Sequence, residues 1–404
     1  MLRPRWRLGS KLDDALGRTY RRDSATAALS GVYSGVLGPF LGLVAAKTLH
    51  ASPAMLSLMM VAPFVGNLVT PLWTHHLHGR PKLPFVTIPW LVARSSFLLV
   101  ACAQTVREFA FLVFFTQICE SSSGPAYSAV MERIYPAAQR GRLMSSVRVS
   151  RTIVAIGVTL TAGNLIDRWG YHGVFVAAGL SGVAAALVFN TIHVLPGADE
   201  LGGGEDAASA GEAWRIFRRD TEYRRFSTSL FVYGMGNLLL LPIYPLFLAH
   251  TLHVSYGQQG VLAFVYMLAL GIGFAGWGHV VDRYGPVKCV YACIAVVGFR
   301  PLIYAAAGSY GWLFPAAILG GLSDSGIEIG YLNSILSFSP PTLIPSYQSL
   351  HATLLGIRGV LSMFLAGAMC TALQAHHLGY RPAFILSTIM IFSGLWLGRK
   401  VNTR

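Results

Sequence analysis

The sequence predicts an all-α membrane protein with twelve transmembrane helices arranged as two six-helix bundles. Apolar residues make up 54% of the 404-residue chain and charged residues only 12%, which is too little polar surface for a soluble protein of this length. The apolar residues fall into twelve runs, each long enough to cross a bilayer core of roughly 30 Å as a helix. Features of the first six runs recur in the last six, which indicates two related halves.

Twelve predicted spans, numbered 1 to 12, follow one another along the chain. Their limits, to within a few residues, are 25 to 46, 54 to 77, 83 to 103, 109 to 131, 143 to 166, 172 to 194, 226 to 249, 258 to 281, 286 to 307, 312 to 338, 348 to 371 and 382 to 398. The polar stretch "PGADELGGGEDAASAGEAWRIFRRDTEYRR" between spans 6 and 7 predicts a linker. The expected domains are a leader (1–24), an N-terminal half (25–195), the linker (196–225), a C-terminal half (226–398) and a tail (399–404).

The distribution of basic residues predicts the orientation, because Lys and Arg in short loops stay on the cytoplasmic side. With the N-terminus inside, 23 of the 31 Lys and Arg residues lie on the cytoplasmic side and four lie on the other side. We therefore expect both termini and the linker in the cytoplasm, with a bacterial inner membrane as the default location. The net charge of +14 is divided among these loops, so no nucleic-acid partner is expected.

Enzymatic and metal-binding motifs are missing from the sequence. The five cysteines lie within apolar runs, without a C-x-x-C pair or a zinc-like spacing, and this predicts buried thiols. No H-E-x-x-H, G-x-S-x-G or nucleotide-binding loop occurs. We therefore expect no catalytic residue, no cofactor, no metal and no enzymatic activity.

The stretch "GWGHVVDRYGPVKCV" after span 8 carries the most specific motif of the chain. It matches the pattern G-x-x-x-D-R-x-G-x-x-[RK] at Gly278, Asp282, Arg283, Gly285 and Lys288. In this loop, and in a chain of six plus six spans with a central linker, the pattern resembles the signature of the major facilitator superfamily.

A second, degenerate copy of the signature follows span 2. It keeps Gly79, Arg80 and Lys82 but has His76 where the repeat expects an Asp. The repeat itself is supported by two arginines, since Gly79 precedes Arg94 and Gly285 precedes Arg300 by 15 residues each. A further echo of the motif, "GNLIDRWGYHGVF", follows span 5.

The resemblance implies a secondary active transporter that moves a small solute across a lipid bilayer by alternating access. It also implies a monomer, with the proton as a candidate coupling ion. Asp282 is then expected to face the N-terminal end of span 11 as a latch of the cytoplasmic gate. Alternatively, the loop could serve only as basic residues that hold this end of the span in the cytoplasm, together with a glycine turn. The degenerate first copy keeps a second class open, a non-transporting membrane sensor or assembly partner.

Ionisable residues inside the spans are expected to be functional or paired, because charge at membrane depth is unfavourable. They are Arg94, Glu120, Arg151, Arg300, Asp324, Glu328 and Arg358. Residues at equal distances from a tight hairpin turn lie at similar heights. This symmetry predicts the pairs Arg94–Glu120, Arg300–Asp324 and Glu328–Arg358, which could either lock helices together or take part in coupling.

The resemblance also implies that spans 1, 4, 7 and 10 line the substrate cavity. Glu120, Asp324 and Glu328 are therefore expected nearer the substrate than Arg94 or Arg300. Additional polar candidates on the lining spans are Tyr33, Asn237 and Asn333. The glycines and acids of "GGLSDSGIEIGYLNS" predict an unwound or kinked span 10.

Overall fold

The computed structural model describes residues 10–77, 80–194, 210–340 and 343–401, and within these ranges the regular structure is helical. The N-terminal half contains α1 (Ser10–Lys47), α2 (Pro53–Leu77), α3 (Pro84–Val100), α4 (Val106–Ser122), α5 (Gly124–Ile134), α6 (Ala137–Trp169) and α7 (Tyr171–Asn190). The linker contributes α8 (Ala210–Arg219). The C-terminal half contains α9 (Thr221–Leu239), α10 (Ile243–His250), α11 (Tyr256–Tyr284), α12 (Pro286–Val297), α13 (Phe299–Ala306), α14 (Leu313–Phe338), α15 (Ile344–Ala375) and α16 (Arg381–Gly398).

These helices build twelve spans in two halves, as the sequence predicts. Eight helical segments of the described chain are long and apolar enough to cross a membrane, and Pro53–Val69 and Pro84–Val100 are shorter apolar helices. Span 1 is longer than expected, because α1 begins at Ser10, well before the predicted span. Residues 1–9 of the predicted leader and residues 196–209 of the predicted linker lie outside the described ranges, as does residue 195.

Three spans are each built from two consecutive helices. Span 4 divides between α4 and α5 at Ser123, just before Pro125, and span 7 divides between α9 and α10 ahead of Ile243, after Pro242. Span 9 divides at Gly298. Proline removes a backbone donor and clashes with the preceding turn, which explains the first two breaks. Span 10, by contrast, is one continuous helix, so the prediction that it is unwound is wrong, and a kink in it stays a prediction.

The helix bundle has two ends. The terminal face is the end that carries Ser10, α8 and Val401, and the opposite face carries the loops that follow Lys47, Val100, Trp169, His250, Ala306 and Ala375. Buried side chains of both halves join in a single core toward the opposite face, with Phe40 and Val44 from one half and Leu246 and Phe247 from the other.

Toward the terminal face the two halves have separate cores. One contains Val130 and Phe189 of the N-terminal half, and the other contains Phe226 and Val290 of the C-terminal half. A smaller cluster, in which Phe64 of α2 meets Met363 of α15, joins the halves part-way along the spans. The halves are therefore packed together toward the opposite face and separated at the terminal face.

One sequence expectation about the cysteines is wrong. Cys289, Cys293 and Cys370 are buried, but Cys119 is only partly buried and Cys102 is exposed. The cause is the end of span 3, because α3 stops at Val100 and leaves Cys102 in the following loop.

Candidate functional site

An aspartate at the end of span 5 joins the two halves on the opposite face. The Oδ1 of Asp167 accepts a hydrogen bond from the backbone N–H of Tyr256 at 3.1 Å, and its Oδ2 accepts one from Gly257 at 2.7 Å. These donors belong to the first turn of α11, where backbone N–H groups have no partner within the helix. A carboxylate at a helix N-terminus also interacts favourably with the helix dipole. Asp167 therefore fastens span 5 to the start of span 8.

Further polar contacts close the same face. Lys47 Nζ donates to the carbonyl oxygen of Val254 at 2.7 Å, and the hydroxyls of Thr48 and Tyr256 lie 2.5 Å apart. The His250 ring nitrogens lie 3.1 Å from the Tyr380 hydroxyl and 3.3 Å from the Ala46 carbonyl oxygen. All of these contacts except His250–Tyr380 cross between the halves, so this end of the interface is sealed by hydrogen bonds as well as by apolar packing.

Glycines bring the helix backbones of the two halves close together. A Cβ on Gly163 would collide with the carbonyl oxygen of Tyr256, and one on Gly260 would lie 2.7 Å from the carbonyl oxygen of Thr159. A Cβ on Gly359 would collide with the ring of Phe64 in span 2. Side chains at these positions would push the halves apart, so the glycines are needed for this closed interface.

The signature loop lies at the terminal face, on the separated side of the molecule. Asp282, Arg283 and Lys288 are exposed, and Gly285 has φ +86°, which ends α11 and starts α12. Within the described ranges Asp282 forms no hydrogen bond or ion pair. The residues at 341–342, directly before span 11, are outside those ranges, so the proposed latch contact remains a prediction.

The remaining signature positions differ in their surroundings. Gly278 is partly buried in α11, Arg80 is exposed, and Lys82 is buried after span 2. Gly79 lies outside the described residues. The gate role of both copies therefore stays a prediction.

The Arg94–Glu120 pair predicted from hairpin symmetry is present. Arg94 Nη2 donates to Glu120 Oε1 at 3.0 Å, and the arginine is 3% exposed whereas the glutamate is 29% exposed. Arg94 also donates to the Gly182 carbonyl oxygen at 3.1 Å and lies 4.3 Å from the centroid of the Trp90 ring. The arginine is thus fixed by several partners, while the glutamate reaches a more accessible position.

An equivalent pair occurs in the C-terminal half, also as predicted. Arg300 Nη1 lies 3.4 Å from Asp324 Oδ2, and Arg300 Nε donates to the Tyr244 hydroxyl at 2.9 Å. The same Asp324 oxygen accepts a hydrogen bond from the Tyr266 hydroxyl at 2.9 Å. Each half therefore holds an Arg of span 3 or 9 against a carboxylate of span 4 or 10.

The third predicted pair, Glu328–Arg358, is not formed. Arg358 is buried and donates to the carbonyl oxygen of Leu230 in span 7 at 2.6 Å, and Glu328 is exposed. The physical reason is that spans 10 and 11 barely touch: span 10 packs on spans 8 and 9, whereas span 11 packs on spans 2 and 7. Equal height in a hairpin brings residues together only where the two helices are neighbours.

Arg151 of span 5 is exposed although it lies on the interior face of its helix. Successive residues turn by 100°, so Arg151 is about 40° from Ala155, whose buried side chain packs against span 1. Its Nε lies 3.5 Å from the Ser34 hydroxyl, and it interacts electrostatically with Glu120. The exposure of an inward-directed guanidinium indicates open space between the halves.

The polar candidates on the lining spans have different environments. Tyr33 is buried against Phe97 and the Arg94 guanidinium, and its hydroxyl has no hydrogen-bond partner within the described ranges. Asn333 donates to the Ile329 carbonyl of its own helix at 2.9 Å. Asn237 is partly buried. Tyr33 is therefore the candidate nearest to the charged groups of the N-terminal half.

Asp167 is a candidate functional residue that is not among those predicted from the sequence. Asp167, Arg168 and Gly170 repeat the D-R-x-G part of the signature, and Gly170, like Gly285, has positive φ and ends one helix before another starts. This repeat of the motif is the sequence signal that could have identified Asp167. Its partner could not be found from the sequence, because the contact joins spans of different halves.

Comparison with known proteins places the chain among membrane transporters. The sequence matches the model of the Major Facilitator Superfamily over residues 24–224 and 226–403. It is 24% identical over 246 residues to a probable chloroplastic anion transporter 4 of Oryza sativa subsp. japonica, a match that covers 56% of this chain and 41% of that protein.

Two solved structures show the same fold. A mutant form of the nucleoside transporter NupG has a TM-score of 0.78 and 13% identity, with 94% of this chain and 99% of that chain covered. A bacterial homologue of the human lysosomal transporter Spinster, inward-facing and unoccupied, has a TM-score of 0.67 and 14% identity, with 98% of both chains covered. At these identities the likeness concerns the fold. The family match extends over nearly the whole sequence, and the chain therefore belongs to the major facilitator superfamily.

Proposed function

We propose that this protein is a secondary active transporter that moves a small polar solute by alternating access, and that the structure is its state open to the terminal face. The observation that carries the proposal is the arrangement of the cores, which are joined toward the opposite face and separate at the terminal face. Such an arrangement exposes the space between the halves to one side at a time when the halves rock. The positive charge of the loops supports a cytoplasmic location for the terminal face. The membrane in this proposal is a bacterial inner membrane.

The chemistry between the halves favours a solute with polar or charged groups. Arg151 is exposed there, and Glu328 on span 10 is also exposed; neither forms an ion pair with a described residue. Glu120 Oε2 and the Tyr33 hydroxyl are buried without hydrogen-bond partners in the described ranges. Because unpaired buried polar groups are unfavourable, these atoms are well suited to bind a solute. The carboxylates of Glu120, Asp324 and Glu328 are the candidates for carrying a proton.

The open state can be tested by thiol labelling from the terminal face. In a variant without the native cysteines, Arg151→Cys should react with a membrane-impermeant maleimide, because it faces the space between the halves. Ile153→Cys is the matched control: Ile153 is 64% exposed but lies about 160° from Ala155 on the same helix, toward lipid. Equal labelling of both positions, or of neither, would contradict the proposal.

Reporter fusions at the linker and the C-terminus should both label from the cytoplasm.

Transport is tested with purified protein reconstituted in proteoliposomes. The solute panel should include anions and nucleosides, because similar proteins are named as transporters of these solutes, together with zwitterionic solutes. We expect saturable exchange of at least one solute and, if a proton is coupled, accumulation that depends on a pH gradient. If no panel member is exchanged while the labelling pattern is as expected, the sensor or assembly class is favoured instead.

A further inference from the structure

A groove lies between spans 9 and 12 at the terminal face, away from the interface between the halves. Its volume is about 610 Å³, within the range of roughly 300–1,000 Å³ that is common for ligand pockets. Its walls come from the first turns of α12 and the last turns of α16. None of the residues at the proposed solute site lines it.

Two basic residues line the groove, and none of the described residues that line it is acidic. Lys288 belongs to the first turn of α12, and Arg399 follows the end of α16. Both are exposed, and neither has a carboxylate partner within the described ranges. Asp282, the nearest acid in sequence to Lys288, is exposed and does not line the groove. Among the described residues, nothing compensates the positive charge of the groove.

The rest of the wall is aromatic and apolar. Tyr291, Phe392 and Trp396 contribute their rings, and the Arg399 guanidinium lies 4.1 Å from the centroid of the Trp396 ring. Gly398 faces Tyr291, and a Cβ at this position would collide with the tyrosine ring. Glycine at this position allows Tyr291 to pack against the helix and form one wall of the groove.

An exposed apolar stripe continues from the groove along span 12. Trp396, Ile389 and Ile385 are 58%, 57% and 49% exposed and recur at helical spacing on one face. In a membrane protein such a face is directed toward lipid tails. Tryptophan is enriched where the tails meet the headgroups, so Trp396 indicates that the groove lies at headgroup level.

We propose that this groove binds one anionic phospholipid, with its phosphate between Lys288 and Arg399. Arginine and lysine are the residues that bind phosphate by charge-assisted hydrogen bonds. The acyl chains would follow Ile389 and Ile385 toward the middle of the bilayer. The proposal does not depend on the transported solute. A phosphate held there would connect the signature loop, through Lys288, to the end of span 12.

The test is a lipid titration of the full-length protein in detergent, followed by native mass spectrometry. Phosphatidylglycerol and phosphatidylcholine with identical acyl chains are compared. We expect one phosphatidylglycerol to be retained at least fivefold more tightly than phosphatidylcholine, because a basic residue near an anionic headgroup contributes about a fivefold change in affinity. Equal retention of the two lipids would show that the groove is covered only by bulk lipid and would overturn the proposal.

Variants then locate the binding. Lys288→Gln and Arg399→Gln should each weaken retention of phosphatidylglycerol about fivefold and leave phosphatidylcholine unchanged. Arg80→Gln is the matched control, since it removes one exposed positive charge from the same face in the other half. Wild-type retention in both groove variants, or an equal loss in the control, would contradict the assignment.

Two further measurements use the wild-type protein and so do not depend on the folding of a variant. Phosphatidylglycerol with a photoreactive acyl chain should label peptides of Arg381–Gly398, and labelling confined to other helices would contradict the proposal. Glycerol phosphate at the same phosphate concentration should not displace the lipid. Full displacement would show that the groove binds soluble phosphate rather than a phospholipid.

Discussion

Asp167 offers the most direct test of how the two halves are held together. Its carboxylate accepts two backbone hydrogen bonds from the first turn of α11, at 3.1 and 2.7 Å. Hydrogen bonds to charged groups contribute about 1.5–3 kcal/mol each when they are shielded from water. Asp167 is exposed, so water replaces part of that energy, and we expect a net contribution of about 1–2 kcal/mol. Asp167→Ala should therefore shift the ratio of closed to open opposite faces by a factor of about 5–30.

The shift can be measured by the distance between two spin labels on the opposite face. Arg107 and Ser309 are exposed there, one in each half, and cysteines at these positions in a background without native cysteines would carry the labels. We expect a longer-distance population to grow in Asp167→Ala. Asp167→Asn should have an intermediate effect, because the amide oxygen still accepts one hydrogen bond but carries no full charge.

The matched control is Arg168→Gln. Arg168 is the next residue, is exposed, and has no hydrogen bond or ion pair with any residue in the described ranges. Its replacement should leave the distance distribution unchanged. If Asp167→Ala also leaves the distribution unchanged, the contact with α11 does not stabilise the closed face and the reasoning is refuted.

Three other predictions follow from buried or closely packed residues. Glu120→Gln or Arg94→Met alone should lower the free energy of unfolding by about 3–5 kcal/mol, because each leaves a charge without its partner, and the double variant should recover most of it in a thermal unfolding assay. Asp282→Asn should change stability by less than about 0.5 kcal/mol, since Asp282 is exposed, yet raise thiol accessibility from the terminal face; unchanged accessibility would assign the residue to the turn alone. Gly163→Ala should lengthen the spin-label distance across the opposite face, because its Cβ would collide with the Tyr256 carbonyl oxygen, and an unaltered distance would show that the helices adjust at little energetic cost.

Elements that depend on local sequence were predictable. The spans follow from the length of apolar runs, and the break at Ser123 coincides with a proline that limits the helix. The Arg94–Glu120 pair was predictable because spans 3 and 4 pack together as a hairpin. Two residues at equal distances from its turn therefore lie close enough to form a contact. In these cases the deciding information lies within one or two consecutive helices.

Features that depend on distant packing were not predictable from one sequence. The partner of Arg358 is a carbonyl oxygen in span 7, and no residue pattern shows that span 11 packs there rather than on span 10. Glycine-rich composition suggested that span 10 could be unwound, but the helix is continuous and its glycines provide close contacts: a Cβ on Gly321 would collide with the Tyr266 carbonyl oxygen. The same residue type serves either purpose, and only the neighbouring helix decides which.

The joined core of the opposite face has a consequence for the effect of temperature. When this face opens, side chains such as Phe40 and Leu246 must lose part of their mutual burial, whereas the signature loop at the terminal face carries the exposed charges of Asp282, Arg283 and Lys288. Burial of apolar surface becomes weaker on cooling. If closing the terminal face buries less apolar surface than opening the opposite face exposes, cooling will shift molecules toward the state that is open at the opposite face, and warming will favour the arrangement seen here.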